Sequence, residues 1–504
     1  MQKKILFLRV DTGWKDPSPP LAFAFLGRIA RDNGFEIFVE NLNAQYNTRN
    51  VEDILNLIKI EKPLIVGITI STTHAKISYD LIKKIRNYCN VIIAGGPHVT
   101  VRPEEVLKNG VDIAVVGEAE SSFSDLLNAV YLKKELSKVR GIFYKEKDKI
   151  KKTEPPEAMD LDKIPIPDRD IFRKSDYVRI KEEINNFGGI LSSRGCPGRC
   201  TYCYNQLFGR RFRYRSAENV FEEIVYLYKK YGVTHINFID DAFTINRGRL
   251  NELCDLLVKA KLPIEWVCAT RIDFLDREVI FKMKKAGCVM ISLGVESCIP
   301  STLIKMKKTT NPEWYIPHSE DVLKWCYEAE IRAGVNILTG FPWDSVEDIK
   351  KLQKYVKEIS KYVTQGFCGG ILQPMPNTEI YEEYAKKYNF ENWWLDKESV
   401  FEGKYRPFFA VYYHVFWEQL ENNFFNLDKK VFNEIDRLYR IMGKWNLNIM
   451  VKRRFKNWFV RHLLYSGLLF FSNLSMFLFK ISPNLERGLM QPVITFGYRF
   501  KYKQ

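Results

Sequence analysis

Apolar segments of strand length alternate with segments of helical period through most of this chain, in two separate series. The first series opens with strands expected at Ile5-Leu6-Phe7-Leu8, Glu36-Ile37-Phe38-Val39, Leu64–Ile70, Val91-Ile92-Ile93-Ala94 and Ile113-Ala114-Val115-Val116. Helices are expected over Leu21–Asn33 and Ser78–Tyr88. Leu64–Ile70 is continuous enough to be buried on both faces, as a central parallel strand is. Connections long enough to hold a helix imply parallel pairing, since antiparallel neighbours need only a tight turn. The expected fold class is therefore α/β, beginning with a doubly wound parallel sheet. Its ligand crevice lies beyond the carboxyl ends of the strands.

From Lys145 to Asp170 the chain is charged and proline-rich, with Pro155-Pro156 and Ile164-Pro165-Ile166-Pro167, and reads as a linker. The second series follows, with strands at Gly189–Ser193, His235–Ile239, Glu265–Cys268, Val289–Leu293, Val335–Leu338 and Gly369–Leu372. Six such units predict a partial (β/α)6 barrel of the TIM type, with chemistry at the carboxyl ends of its strands. Beyond Phe390 the sequence is aromatic, helical and finally basic. The expected division is 1–145, a linker 146–185, a core 186–390 and a helical region 391–504.

Ten cysteines in 504 residues is not a secreted disulfide density, and Met1–Arg9 is too short for a secretory signal. A reducing cytoplasm is expected. Seven of the cysteines stand singly, and three fall within eight residues: Cys196, Cys200 and Cys203, in Ser193-Arg194-Gly195-Cys196-Pro197-Gly198-Arg199-Cys200-Thr201-Tyr202-Cys203. Three thiolates at this spacing can hold three corners of an iron–sulfur cubane and leave one iron open, which is the mark of a catalytic rather than a structural metal. Zinc is the plainer metal reading, but it prefers four ligands and no fourth Cys or His lies nearby. The plainest reading is three buried structural thiols.

Cys-x3-Cys-x2-Cys with Tyr202 just before the last cysteine resembles the radical S-adenosylmethionine (SAM) superfamily. Phe238-Ile239-Asp240-Asp241-Ala242-Phe243, Thr270-Arg271-Ile272, Gly294-Val295-Glu296-Ser297, Gly340-Phe341-Pro342 and Pro374-Met375-Pro376-Asn377-Thr378 extend the resemblance over residues 186–390. It implies a 4Fe-4S cluster on the three cysteines that cleaves SAM to methionine and a 5′-deoxyadenosyl radical. Partners expected for the cofactors are Tyr202 beside the last cysteine, Glu296 and Ser297 for the ribose or amine of SAM, and Arg271 for its carboxylate. Asp240 and Asp241 are candidates for the amine or the substrate. The plainer reading of each acid is a salt bridge on the barrel rim.

Ser71-Thr72-Thr73, Gly95-Gly96-Pro97-His98 and Gly117-Glu118-Ala119-Glu120 each follow a strand of the first sheet. Small residues there let a large cofactor approach the backbone. Placed ahead of the cysteine triad, these strings resemble the cobalamin-binding domain of cobalamin-dependent radical SAM methyltransferases. The resemblance implies cobalamin near Ser71, Thr72, Thr73, Gly95, Gly96, Gly117 and Glu118. The loop after the first strand, Asp11-Thr12-Gly13-Trp14-Lys15-Asp16, departs from the Asp-x-His-x-x-Gly pattern that supplies a histidine to cobalt. His98 reads as a turn histidine held by backbone rather than a ligand.

Of the formal charge of +16, +11 lies in Arg440–Gln504, with twelve Lys or Arg against Glu486. Leu463–Phe479 holds no charge and is preceded by Lys452-Arg453-Arg454-Phe455-Lys456. An apolar helix flanked by cations describes a segment at an anionic membrane surface, with a helix packed on the barrel as the alternative. Nucleic acid is not expected as a partner. The function expected is C-methylation of a small-molecule or lipid substrate, fed by an electron donor such as flavodoxin or ferredoxin. Alternatives are a ring-forming or oxidising reaction without methyl transfer, or a cobalamin- or redox-sensing protein.

Overall fold

In the computed structural model the described residues are 2–10, 18–44, 46–47, 49–147, 149–179, 184–204, 208–396, 408, 423–482 and 484–490. The Asp11–Asp16 loop lies outside them. Two sheets, the first mixed and the second parallel, carry the architecture, and both contain the expected strand series.

The first sheet has seven strands, β1 (Lys4–Arg9), β2 (Glu36–Asn41), β3 (Ile65–Thr69), β4 (Val91–Gly95), β5 (Ile113–Val115), β6 (Ile142–Glu146) and β7 (Lys149–Lys152), in the order β2-β1-β3-β4-β5-β6-β7. Strands β1 to β5 are parallel. The order reverses between β1 and β3, so the crevice of a doubly wound fold opens there. Gly67 of β3 pairs with Phe7 of β1, and a Cβ on it would stand 3.1 Å from the Phe7 ring.

β5, β6 and β7 run antiparallel, with Ile113 opposite Tyr144 and Tyr144 opposite Lys151. The stretch read as a linker from Lys145 therefore begins inside a hairpin. Lysines and glutamates suit a solvent-facing sheet edge, where they discourage further pairing, and so imitate linker composition. The remainder is pinned rather than free. Arg169 is fully buried, donates to the carbonyls of Phe187 and Gly189, and pairs with Glu223 at 2.8 Å.

Two short antiparallel pairs punctuate the second half. They are β8 (Val178–Arg179) with β9 (Ile184–Asn185), and β11 (Ser193–Arg194) with β12 (Arg213–Tyr214). The second sheet runs β10 (Gly189–Ile190), β13 (His235–Phe238), β14 (Glu265–Arg271), β15 (Cys288–Glu296), β16 (Arg332–Thr339) and β17 (Gly366–Ile371), all parallel and in chain order. Among the described residues no pairing joins β10 to β17, so the barrel is open, as the partial-barrel reading expects.

The edge at β17 is closed by a side chain. Asn446, on the Lys429–Arg454 helix, accepts from the Phe367 N–H at 2.7 Å and donates to the Phe367 carbonyl at 2.8 Å. Its amide occupies the place of another strand. Gly366 makes this possible, since at φ +128° a Cβ would stand 2.8 Å from Asn446 Oδ1. The Trp458–Ile481 helix follows and spans the uncharged Leu463–Phe479 run.

Candidate active site

β10 leaves the barrel sheet at Ile190, and the β11–β12 ribbon then closes the loop that carries the three cysteines. Gly195 enters this loop at φ +85°, where a Cβ would lie 2.4 Å from the Arg211 carbonyl, so no larger residue fits. A Cβ at Gly198 would press on Arg271 Nη1 at 3.0 Å and Cys196 Sγ at 3.4 Å. Cys196, Cys200 and Cys203 form no disulfide. Burial, then the neighbouring Cys200 and Cys196, push the Cys203 thiol up to about 12. Burial likewise raises Cys196, against the Gly198 N–H and Arg271.

Thiols that oppose one another's ionisation need a strongly positive centre to become thiolates. Among the described residues no three ligand side chains converge closely enough for a single ion. Three thiols on one loop suit separate corners of a cluster, and the donor set is that of iron–sulfur chemistry. Tyr202 lies beside Cys200, with its ring edge-on to Phe341 at 6.1 Å.

The strand-end residues divide by what already holds them. Asp240 is buried and accepts from Ser192 N–H at 2.7 Å and Ser192 Oγ at 2.6 Å, beneath Arg249, which donates to the Ser192 carbonyl at 3.0 Å. It anchors the chain entering the cysteine loop and is not presented to a ligand. Asp241 is exposed and accepts from the Gly195 N–H. Arg271 does not offer a free charge: it forks onto Asp273 at 2.7 Å, donates to the Lys308 carbonyl at 2.8 Å, and reaches Cys200 Sγ at 3.5 Å. Ser297 Oγ accepts from the Ile299 N–H at 3.1 Å and shapes a turn.

Glu296 closes β15 at φ +67°, next to a bulge against β16. Its carboxylate pairs with Lys308 at 3.2 Å, and both side chains are largely buried. A Cβ at Gly294 would lie 2.7 Å from that carboxylate and 2.8 Å from the ammonium, so glycine makes room for the pair. Sequence reading missed Lys308, which sits among other lysines twelve positions downstream with no motif to mark it. It also missed Asp344, after β16, which accepts from the Gly340 and Phe341 N–H groups at 2.8 and 3.1 Å. Burial pushes its carboxyl up to about 7.

In the first sheet the expected residues part company. Gly95, Gly96, Gly117 and Glu118 line one largely apolar cavity of about 340 Å³. Gly95 has open space where a Cβ would be, a cradle that any side chain would fill. Gly96 is required by the backbone: at φ +106° a Cβ would stand 2.9 Å from the Ile70 carbonyl. Ser71, Thr72 and Thr73 lie beside the cavity and are engaged elsewhere. Ser71 and Thr73 bond His74 Nδ1 at 2.7 and 3.2 Å, and Thr72 bonds His98 at 3.2 Å. His98 is fully buried and also meets Tyr79 at 3.0 Å and Glu105 at 3.2 Å. Side chains rather than the expected backbone hold it.

The cavity is shared between the two sheets. Leu191, Arg194 and Ile239, from the rim of the barrel, line its far wall. Arg194 is buried two residues before Cys196, and its guanidinium meets Glu118 at 2.5 Å and Glu120 at 2.5 Å, while Arg213 also pairs with Glu118. Phe25 and Phe208 flank it at 5.7 and 5.2 Å. Arg194 was quoted in the cysteine string but given no role. Nothing in a single sequence shows that carboxylates more than seventy residues earlier await it.

Two family models match the chain, the Radical SAM superfamily over residues 190–356 and the B12 binding domain over residues 14–127. An uncharacterized methyltransferase of Pyrococcus horikoshii is 33% identical over 371 residues, covering 72% of this chain and 78% of that protein. An anaerobic magnesium-protoporphyrin IX monomethyl ester cyclase of Synechocystis is 26% identical, covering 58% of this chain and 60% of that protein. Among solved structures, the radical SAM methyltransferase TsrM of Kitasatospora setae, with cobalamin and a 4Fe-4S cluster bound, superposes with a TM-score of 0.63. It is 20% identical and covers 77% of this chain and 75% of its own, a likeness of fold. The chain belongs to the radical SAM superfamily, in the group that carries a B12 binding domain ahead of the barrel, and it is an enzyme.

Proposed function

We propose that this protein is a cobalamin-dependent radical SAM enzyme that methylates an unactivated carbon of a small molecule, more narrowly of a lipid or other membrane-associated substrate. The observation that carries this reading is the cavity shared by Gly95, Gly96 and Gly117 with Leu191, Arg194 and Ile239. A cradle for a corrinoid thus opens beside the loop that bears the thiols. When bound, the cluster supplies the electron that splits SAM, and cobalamin carries the transferable methyl group.

The remaining work belongs to the chain. Cys196, Cys200 and Cys203 hold three irons, and Asp240 fixes the entry to their loop through Ser192 and Ser193. Asp241, exposed beside Gly195, and Glu296 are acceptors for the amine and ribose hydroxyls of SAM. Lys308, held against Glu296, fixes the place of its carboxylate. Tyr202 screens the cluster loop on the side of Phe341. Apolar walls exclude water from a reactive carbon radical. Reduced flavodoxin or ferredoxin is the donor that fits, with the enzyme peripheral at the inner face of the cell membrane.

Anaerobic reconstitution with iron, sulfide and hydroxocobalamin, followed by metal quantitation, tests the cofactor set. Formation of 5′-deoxyadenosine from SAM under strong reductant tests the radical step. A product heavier by one methylene supports methylation. A second reading, ring closure without methyl transfer, is favoured by the likeness to the Synechocystis cyclase. A product of unchanged or lower mass would establish it instead.

A further inference from the structure

The Trp458–Ile481 helix is apolar on more than the side that packs on the folded chain. Its inward face carries Ser472 and Ser475, both fully buried, and Ser475 Oγ donates to the buried carboxylate of Glu486 at 2.5 Å. Its outward face carries Phe459, Leu463, Phe470 and Phe477, which are 67%, 64%, 64% and 62% exposed. Leu463, Phe470 and Phe477 recur every seven residues, so they form one stripe along the helix. Several large apolar side chains exposed on one side of a helix mark an interaction surface, even with Ser466 and Gly467 between Leu463 and Phe470.

Charge identifies the partner. No acidic residue occurs between Asp436 and Glu486, whereas Lys452, Arg453, Arg454, Lys456 and Arg461 gather at the start of the stripe. A protein partner of ordinary composition does not call for so one-sided a collar, but anionic headgroups do. The helix is long and apolar enough to cross a bilayer, with 22 residues at mean hydropathy 1.4. Yet its inner face packs on the folded chain through Ser472, Ser475 and Leu478. That arrangement leaves one face for lipid and suits a helix lying in the interface plane.

We infer that this face docks on an anionic bilayer, with the stripe at the acyl boundary and the basic collar among the headgroups. The inference rests on the membrane part of the reading above. It is measured without turnover, so it can fail while methyl transfer stands.

Full-length protein is sedimented with phosphatidylcholine vesicles and with phosphatidylcholine–phosphatidylglycerol vesicles. Binding to the anionic vesicles is expected to be at least about tenfold tighter, given roughly 1 kcal/mol per cation near such a surface. The variant carrying Leu463→Glu, Phe470→Glu and Phe477→Glu should lose that binding while retaining its iron content, because all three positions are already exposed. Equal binding of variant and parent, or no binding to either vesicle, overturns the inference. A dimer in sedimentation equilibrium that the triple substitution dissolves also overturns it, by assigning the face to a second copy.

Discussion

Arg194 and Glu118 meet at 2.5 Å across the boundary between the two sheets, with Glu120 on the other arm of the same guanidinium. One cation thus ties the loop after β5, at the cobalamin-type crevice, to the loop that bears Cys196. The side chain of Arg194 is 4% exposed and those of Glu118 and Glu120 are 12% and 11% exposed, so neither charge has water to fall back on.

Arg194→Met should therefore lower unfolding stability by about 3 kcal/mol, because Glu120 remains buried without its cation and Glu118 keeps only Arg213. Combining it with Glu118→Gln and Glu120→Gln should restore a large part of that loss. Urea denaturation of the parent, Arg194→Met, the two Gln substitutions together and all three together forms the cycle. Additive losses would show that the three side chains do not act as a unit.

Gly95→Leu should abolish cobalt retention while leaving iron and sulfide at parental levels. No atom lies within 4 Å of the position its Cβ takes, so the new side chain fills the cradle instead of straining the fold. Metal analysis of the two reconstituted proteins decides it. Parental cobalt in the variant would place the corrinoid elsewhere.

Replacing Cys196, Cys200 or Cys203 singly by Ala should remove the visible iron–sulfur absorption and 5′-deoxyadenosine formation. The same change at Cys254, buried among aliphatic side chains in the Arg247–Ala260 helix, should leave both intact and act on stability alone.

Asp344 makes stability depend on pH with a definite sign. Burial holds its folded carboxyl at about 7, above the ordinary value of 3.8 that applies when unfolded. The folded state then binds the extra proton between those values, so this group's contribution to stability is full below about pH 4 and is lost as pH rises to about 7. The displacement corresponds to roughly 4 kcal/mol. Asp344→Asn should flatten this part of the profile, which denaturation midpoints measured across the range will show.

How legible these features were depended on how local their causes are. Strand series and the cysteine loop rest on short-range pattern, and both sheets appear in the expected order. Hairpin β6–β7 was hidden because edge strands carry the lysines that also mark linkers. The ion pair of Arg271 with Asp273, two residues on, carries no mark in the sequence that sets it apart from a free charge. Ser297 likewise spends its hydroxyl on a turn two residues ahead. Lys308 and Arg194 depend on contacts that only the folded chain creates.

The amide of Asn446 bears on how the protein can be shortened. Because it occupies the hydrogen-bonding edge of β17, a chain cut before Lys429 would leave the Phe367 N–H and carbonyl open to strands of other molecules. Such a fragment would retain every cysteine and still be prone to aggregate. A cut after Arg454 keeps that edge sealed and removes the outward-facing phenylalanines, and is the boundary at which a compact catalytic fragment should be sought.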